Sequence, residues 1–233
     1  MISIIVPTLN ENKNIHPFIS STKKLNFLFE VIFVDDSSTD NTTETIKRLI
    51  KYKKNYRIII RKKNRDLSQS VLEGVKKAKF NIIIVMDVDL QHDMRFCNKL
   101  FEKFKKKKKL DMVIGSRFLL NNFKANIGYF RSIVSLFTIL MINYFFKKKS
   151  TDPLSGFFIF KKYLLLDYKK NFFLKGYKIL FDILYNGKKK IFLEDISIIF
   201  KERKLEKSKF NFRIIFIFFI QIFYTKFRTL LNK

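Results

Sequence analysis

Three features of residues 1–115 point to a parallel, doubly wound α/β sheet: short β-branched runs, helix-length polar stretches between them, and polar clusters where the runs end. The runs occupy 2–6, 31–34, 57–60, 82–86 and 112–114 and are almost free of polar residues, as strands covered on both faces are. Of the intervening stretches, 40–54 and 67–79 have the length of helices and carry the leading Asp or Ser of a capped N-terminus. The charge run Lys105 to Lys109 reads as the solvated end of another helix.

Sheets of this class bind ligands beyond the carboxyl ends of their strands. Three polar clusters fall there: Pro7, Thr8, Asn10 and Glu11 after the first run, Asp35 to Asp40 after the second, and Asp87, Asp89, Gln91 and His92 after the fourth. Neither Gly-x-Gly-x-x-Gly nor Gly-x4-Gly-Lys-Ser/Thr occurs, which argues against a dinucleotide dehydrogenase and a P-loop ATPase. Phosphates have to be neutralised by other means. Asp87 and Asp89 can both face the rim cleft, where two carboxylates repel unless a cation or donors compensate them. A hard divalent ion, Mg2+ or Mn2+, meets that need and leaves sites for a substrate diphosphate. The plainer alternative is that Asp89 or Asp93 caps the next helix. Asp36 can accept hydrogen bonds from a nucleobase edge or serve as a cap near Asp40, a role better suited to Asp40 itself. His16 and His92 have no Cys or His partner at metal-ligand spacing and read as structural or supporting residues. Arg117, Arg131, Arg203 and Lys209 form a basic set. Arg is used there in a chain that otherwise favours Lys, and a guanidinium grips phosphate bidentately, although each alone could be a surface charge.

Beyond residue 115 the alternation breaks down. An apolar stretch at 132–146, preceded by Arg131 and followed by Lys147, Lys148 and Lys149, suits a helix lying in a membrane interface better than one crossing it. A turn at 151–156 feeds the apolar run 157–160, another strand is expected within 191–200, and the tail from Lys209 frames the apolar stretch 214–220 with Lys209, Arg213, Lys226 and Arg228. The 233 residues include 48 Lys plus Arg against 20 Asp plus Glu, for a net charge of +28. Bulk charge is weak evidence, because AT-biased codons would also enrich Lys, Phe, Ile and Asn. Its distribution says more: residues 101–233 hold 30 of the 48 cations and 23 of the 29 Phe, which suits contact with an anionic bilayer surface. A hydrophobic content of 47% excludes a solvated disordered tail, and a single Cys (Cys97) excludes an intrachain disulfide. With no export signal and no apolar run of spanning length, a peripheral protein at the cytoplasmic face of the membrane is expected.

The motifs Pro-Thr-Leu-Asn-Glu (7–11), Val-Asp-Asp-Ser-Ser-Thr-Asp (34–40), Arg-Asp-Leu-Ser-x-Ser-Val-x-x-Gly (65–74), Val-Met-Asp-Val-Asp-Leu-Gln-His (85–92), Gly-Ser-Arg (115–117), Arg131 with Ser135, Asp-Pro-Leu-Ser-Gly-Phe-Phe (152–158) and Arg203 to Ser208-Lys209 follow one another in order. Together they make the chain resemble the polyprenyl-phosphate (dolichol-phosphate) mannosyltransferases of glycosyltransferase family 2, from residue 2 to about 210. The resemblance implies an inverting GT-A enzyme: a Rossmann-like, mainly parallel sheet flanked by helices, with amphipathic interfacial helices in the C-terminal half. Residues 1–120 would form the nucleotide-sugar-binding core and 121–233 the acceptor-binding, membrane-facing half of one catalytic domain. Pro7, Thr8 and Glu11 would line the nucleoside pocket and Asp36 would hold the base. Asp87, Asp89 and Gln91 would organise Mg2+ or Mn2+ and the donor diphosphate, over which Arg203 and Lys209 would close. Arg117, Arg131 and Ser135 would clamp the phosphate of a polyprenyl or dolichyl acceptor, beside a loop at 152–156.

The residue types agree with that chemistry, since an acceptor phosphate is already anionic and can displace the diphosphate without a strong base. Alignment and charge compensation are what the protein has to supply. Three departures from the family pattern stand out. Asp66 replaces a Gly near the donor pocket, Glu206 replaces a Gly in the closing segment, and the chain stops at Lys233 where many relatives continue into transmembrane helices, so that it is expected to dock by itself. A UDP-sugar donor or a saccharide acceptor stays open within the enzyme reading. A basic nucleic-acid binder is the distant rival, and it would have no need of the acidic rim.

Overall fold

The computed structural model describes the backbone of residues 1–62, 65–119, 129–199 and 212–231, with the side chains of all of these except 129–133 and 212–214. The chain runs β1 (Ile2–Thr8), α1 (Asn12–Ser21), β2 (Phe29–Asp35), α2 (Thr42–Ile50), β3 (Tyr56–Ile60), α3 (Leu67–Lys77), β4 (Ile82–Val85), α4 (Arg95–Lys106) and β5 (Met112–Ser116). The five β-branched runs of the sequence are therefore five strands. After these come α5 (Tyr129–Phe145), β6 (Phe158–Lys161), the single-turn α6 (Tyr163–Leu166), α7 (Ile179–Asn186), β7 (Leu193–Ser197) and α8 (Phe212–Leu231).

The strands lie in one sheet in the order β3-β2-β1-β4-β6-β5-β7. All neighbours are parallel except β6, which runs antiparallel to both β4 and β5. The exception follows from where β6 starts. The 152–156 turn lies at the carboxyl rim beside the end of β5, so the chain re-enters the sheet from the opposite side.

Burial on both faces explains the unbroken apolar runs. On one face Ile2, Ile4, Val6, Val31 and Phe33 pack with Ile15 and Phe18 of α1, Ile46 of α2 and Leu100 of α4. On the other, Ile5, Ile32, Val34, Ile83 and Phe158 pack with Val71 of α3, Leu164 of α6 and Leu180 of α7. A third, smaller cluster joins Ile139 and Ile142 of α5 to Phe181 of α7 and to Phe218 and Ile222 of α8. The two helices expected to lie in a membrane interface thus each bury one face on the protein. Each exposes another: Phe137, Leu140 and Tyr144 on α5, and Phe216, Ile220, Phe223 and Phe227 on α8. No helix among the described residues is long and apolar enough to cross a membrane.

Candidate active site

The carboxyl ends of β1 and β2 are tied together by short polar contacts. Asp35 ends β2 and is consumed structurally, accepting from the Thr8 and Thr43 hydroxyls (3.3 and 2.9 Å) and from the backbone N–H of Ser38 (3.0 Å). Asp40 takes the capping role, accepting from the N–H of Thr42 at 3.1 Å, and its carboxyl is held below the ordinary range because bonds from Thr42 and Asn12 outweigh its burial. Asp36 points the other way. It forms a buried ion pair with Arg61 and accepts the Asp66 N–H at 2.5 Å, and burial still pushes its carboxyl above the ordinary value. Glu11 is anchored at the start of α1, its N–H on Thr42 Oγ1 (2.9 Å) and its carboxylate on Asn14 (2.6 Å).

Across the rim, Asp89 Oδ1 accepts the Gln91 N–H at 3.1 Å, a tight turn that places Leu90 at φ +58°. Helix capping, the plainer role considered for Asp89 or Asp93, falls to Asp93, which accepts the Arg95 N–H at 3.0 Å and pairs with its guanidinium at 2.8 Å. His92 is buried and stacked on Phe157, ring centroids 4.7 Å apart, and burial lowers its pKa to about 4, so the ring is neutral near pH 7. Arg117, at the end of β5, is gripped by Asp152 through Nε (2.7 Å) and Nη2 (2.9 Å). Asp195 of β7 fixes the approach to that residue by accepting the Thr151 N–H at 2.6 Å.

Some of these groups, Glu11, Asp36, Asp89, His92 and Arg117 among them, border a cavity of about 240 Å3. Pro7, Thr8, Glu11, Asp36, Asp87, Asp89, Gln91, Arg117 and Ser135 all line it, so the structure gathers nine of the residues singled out from sequence. Arg203 and Lys209 lie outside the described residues, as does the side chain of Arg131. Asp66 also lines the cavity. Its carboxylate caps α3 through the Gln69 N–H (3.0 Å) and takes the Gly176 N–H (2.6 Å), which gives the unexpected acidic group a structural task. Sequence reasoning missed Arg61, although it stands at the carboxyl end of a strand as the other rim residues do. It also missed Tyr177 and Lys178, which precede α7, and the wall formed by Ile215, Phe218 and Phe219 of α8.

A model of the family described as glycosyl transferase family 2 matches residues 3–169. The chain belongs to that family. It is 32% identical to a dolichol-phosphate mannosyltransferase of Pyrococcus furiosus over 95% of its own length, and spans 62% of that relative. Among solved structures, glucosyl-3-phosphoglycerate synthase of Mycobacterium tuberculosis, in complex with Mn2+, UDP-glucose and phosphoglyceric acid, aligns with a TM-score of 0.68 and 16% identity, covering 89% of this chain and 72% of that one. A mannosyltransferase of Pyrobaculum calidifontis, in complex with GDP-Man and Mn2+, aligns with a TM-score of 0.65 and 18% identity, covering 100% of this chain and 64% of that one. The sheet and its flanking helices thus have the GT-A-like fold that the resemblance implied.

In this family 2 chain, Asp87, Asp89 and Gln91 present hard oxygen donors on one loop. Gly156 leaves room for Asp87: a Cβ there would stand 3.3 Å from Asp87 Oδ2 and crowd the carboxylate. Among the described residues no three His, Cys, Asp or Glu side chains converge as a metal cage. Two carboxylates and an amide fit an ion that keeps part of its shell for water and substrate oxygens, the habit of Mg2+ and Mn2+ at diphosphate sites.

Proposed function

We propose that this chain transfers a sugar, mannose from GDP-mannose, with inversion onto a polyprenyl or dolichyl monophosphate, using Mg2+ or Mn2+ held by Asp87, Asp89 and Gln91. The observation that carries the reading is the make-up of the cavity. Its carboxylate-lined end at the strand termini is continuous with an apolar wall of Val134, Leu154 and Ile215, Phe218 and Phe219 of α8, so one pocket suits both a nucleotide diphosphate and a lipid phosphate. The similarity to the Pyrococcus relative and the GDP-Man complex of the Pyrobaculum enzyme support the donor and acceptor.

Pro7, Thr8 and Glu11 would enclose the nucleoside and Asp36, held in place by Arg61, would meet the base. A bound divalent ion supplies charge neutralisation to the leaving diphosphate. Arg117, its fork fixed by Asp152, and Ser135 would orient the acceptor phosphate, together with Arg131. Arg203 and Lys209 keep the donor-closing role implied by the resemblance. We place the protein peripherally at the cytoplasmic face of an anionic membrane, with the exposed aromatic faces of α5 and α8 in the headgroup layer.

The test is formation of lipid-linked product from polyprenyl phosphate with GDP-mannose and UDP-glucose side by side. Product is expected from GDP-mannose, and Asp89→Ala should lower the rate by about two orders of magnitude with an unchanged circular dichroism spectrum. Failure of both donors, or full activity of Asp89→Ala, would overturn the proposal.

A further inference from the structure

Among the described residues, five carboxylates line the cavity (Glu11, Asp36, Asp66, Asp87 and Asp89) against three cations, Arg65, Arg117 and Lys178. Even with Asp36 paired to Arg61 and a divalent ion assigned to Asp87 and Asp89, a phosphate in such a pocket needs cations where it binds. Arg65 belongs to the nucleoside end, its Nη2 donating to the Ser37 carbonyl at 2.8 Å, and Arg117 is matched by Asp152. Lys178 stands at the other end. Its ammonium donates to the Leu154 carbonyl at 3.0 Å, within the 152–156 loop, and its backbone carbonyl accepts from Gln221 of α8 at 3.3 Å.

The segment that carries Lys178 is clamped rather than draped. The Gly176 N–H is bound by Asp66 at 2.6 Å, and the Gly176 carbonyl by the N–H and Oγ of Ser68, both at 3.0 Å. Gly176 has φ +86°, and a Cβ on it would come 2.9 Å from Ile217 Cγ2 of α8, so only glycine suits both the backbone and the helix seated on it. The ammonium is thereby held at the junction of the 152–156 loop, the apolar wall of α8 and the cavity. A lipid phosphate whose chain lay along α8 would carry its charge there.

We propose that Lys178 contacts the phosphate of the acceptor, a prenyl monophosphate, and is a binding residue beyond those that the sequence motifs supplied. The proposal rests on the transferase reading above. The rival source of the same chemistry is the donor diphosphate, and binding measurements separate the two. Wild type, Lys178→Met and Lys178→Arg are titrated calorimetrically with geranyl phosphate, a short soluble prenyl monophosphate, and with GDP plus Mg2+.

Lys178→Met should weaken geranyl phosphate binding about tenfold and GDP binding less than about twofold, and Lys178→Arg should recover most of the loss. Equal geranyl phosphate affinity in wild type and Lys178→Met, a loss confined to GDP, or no binding of geranyl phosphate by wild type would each overturn the assignment. Unfolding midpoints confirm that the variants are folded; if Lys178→Met is not, Lys178→Gln takes its place in the same comparison. A wild type that shows the Lys178-dependent binding yet transfers no sugar would sink the transferase reading and leave the contact standing.

Discussion

His92 shows how a buried residue of the rim links site geometry to stability. Burial is the main reason its pKa falls to about 4, reinforced by the Arg117 charge and opposed by Asp89 and Asp152. In the unfolded chain the imidazole takes up a proton below about pH 6.5. Between pH 6.5 and about 4 the unfolded state therefore binds more protons than the folded state, and stability is lost as pH falls. The loss attributable to this ring grows to roughly 3 kcal/mol at the bottom of the window. Urea denaturation at pH 7 and pH 4.5 should show a smaller fall for His92→Gln than for wild type, whatever the cost of the substitution at pH 7. Parallel falls would mean that the ring is protonated in the folded protein. The structural reading of His92 was available from sequence, because no second ligand stands at metal spacing. Its stacking on Phe157 was not, since the two are brought together only when β6 enters beside β4.

At the level of elements, α3 joins the nucleotide rim to the C-terminal half. Asp66 at its N-terminus accepts from Gln69 inside the helix and from Gly176 on the segment beneath α8, while Gln69 Nε2 donates to the Leu174 carbonyl at 2.8 Å. Removing the carboxylate in Asp66→Ala deletes a helix cap, about 1 kcal/mol, and leaves the buried Gly176 N–H without this acceptor, about 1–3 kcal/mol. Part is regained, because burial and the Asp36 charge already raise the Asp66 pKa above the ordinary carboxyl value. A net destabilisation of about 2 kcal/mol is expected from the denaturation midpoint at unchanged m-value. A loss below about 0.5 kcal/mol would show that the clamp is slack. Sequence reasoning saw Asp66 only as a departure from a family glycine, since its partner lies 110 residues away. The strands were legible for the opposite reason: an unbroken β-branched run is a local pattern, and burial on both sheet faces produces it directly. The reversed direction of β6 was not, because it depends on where the preceding turn delivers the chain.

At the scale of the whole molecule, the charge reading of the C-terminal half needs division. Several of the cations that frame its apolar stretches face inward: Lys226 donates to the Phe145 carbonyl at the end of α5, while Arg228 and Lys149 donate to the Asn186 and Leu184 carbonyls at the end of α7. They sit where helix C-termini favour positive charge. Lys147 and Lys148 remain exposed at the end of α5. The apolar face is larger. Phe137, Leu140 and Tyr144 repeat at helical spacing on α5, as do Phe216, Ile220, Phe223 and Phe227 on α8, with Phe216, Phe223 and Phe227 between 61% and 65% exposed. If each of these three Phe side chains contributes on the order of 1 kcal/mol on entering the headgroup layer, replacing all three with Ser should weaken vesicle binding by about two orders of magnitude. Among the described residues that flank these helices, the two exposed lysines contribute about 2 kcal/mol toward anionic lipid, part of which salt removes, so raising the salt concentration should cost about tenfold. Sedimentation with phosphatidylcholine vesicles, with and without phosphatidylserine, reads both effects. Wild-type affinity in the triple Phe variant would show that this face is not the membrane contact. A salt effect larger than the Phe effect would mean that charge, rather than the aromatic stripe, holds the protein at the bilayer.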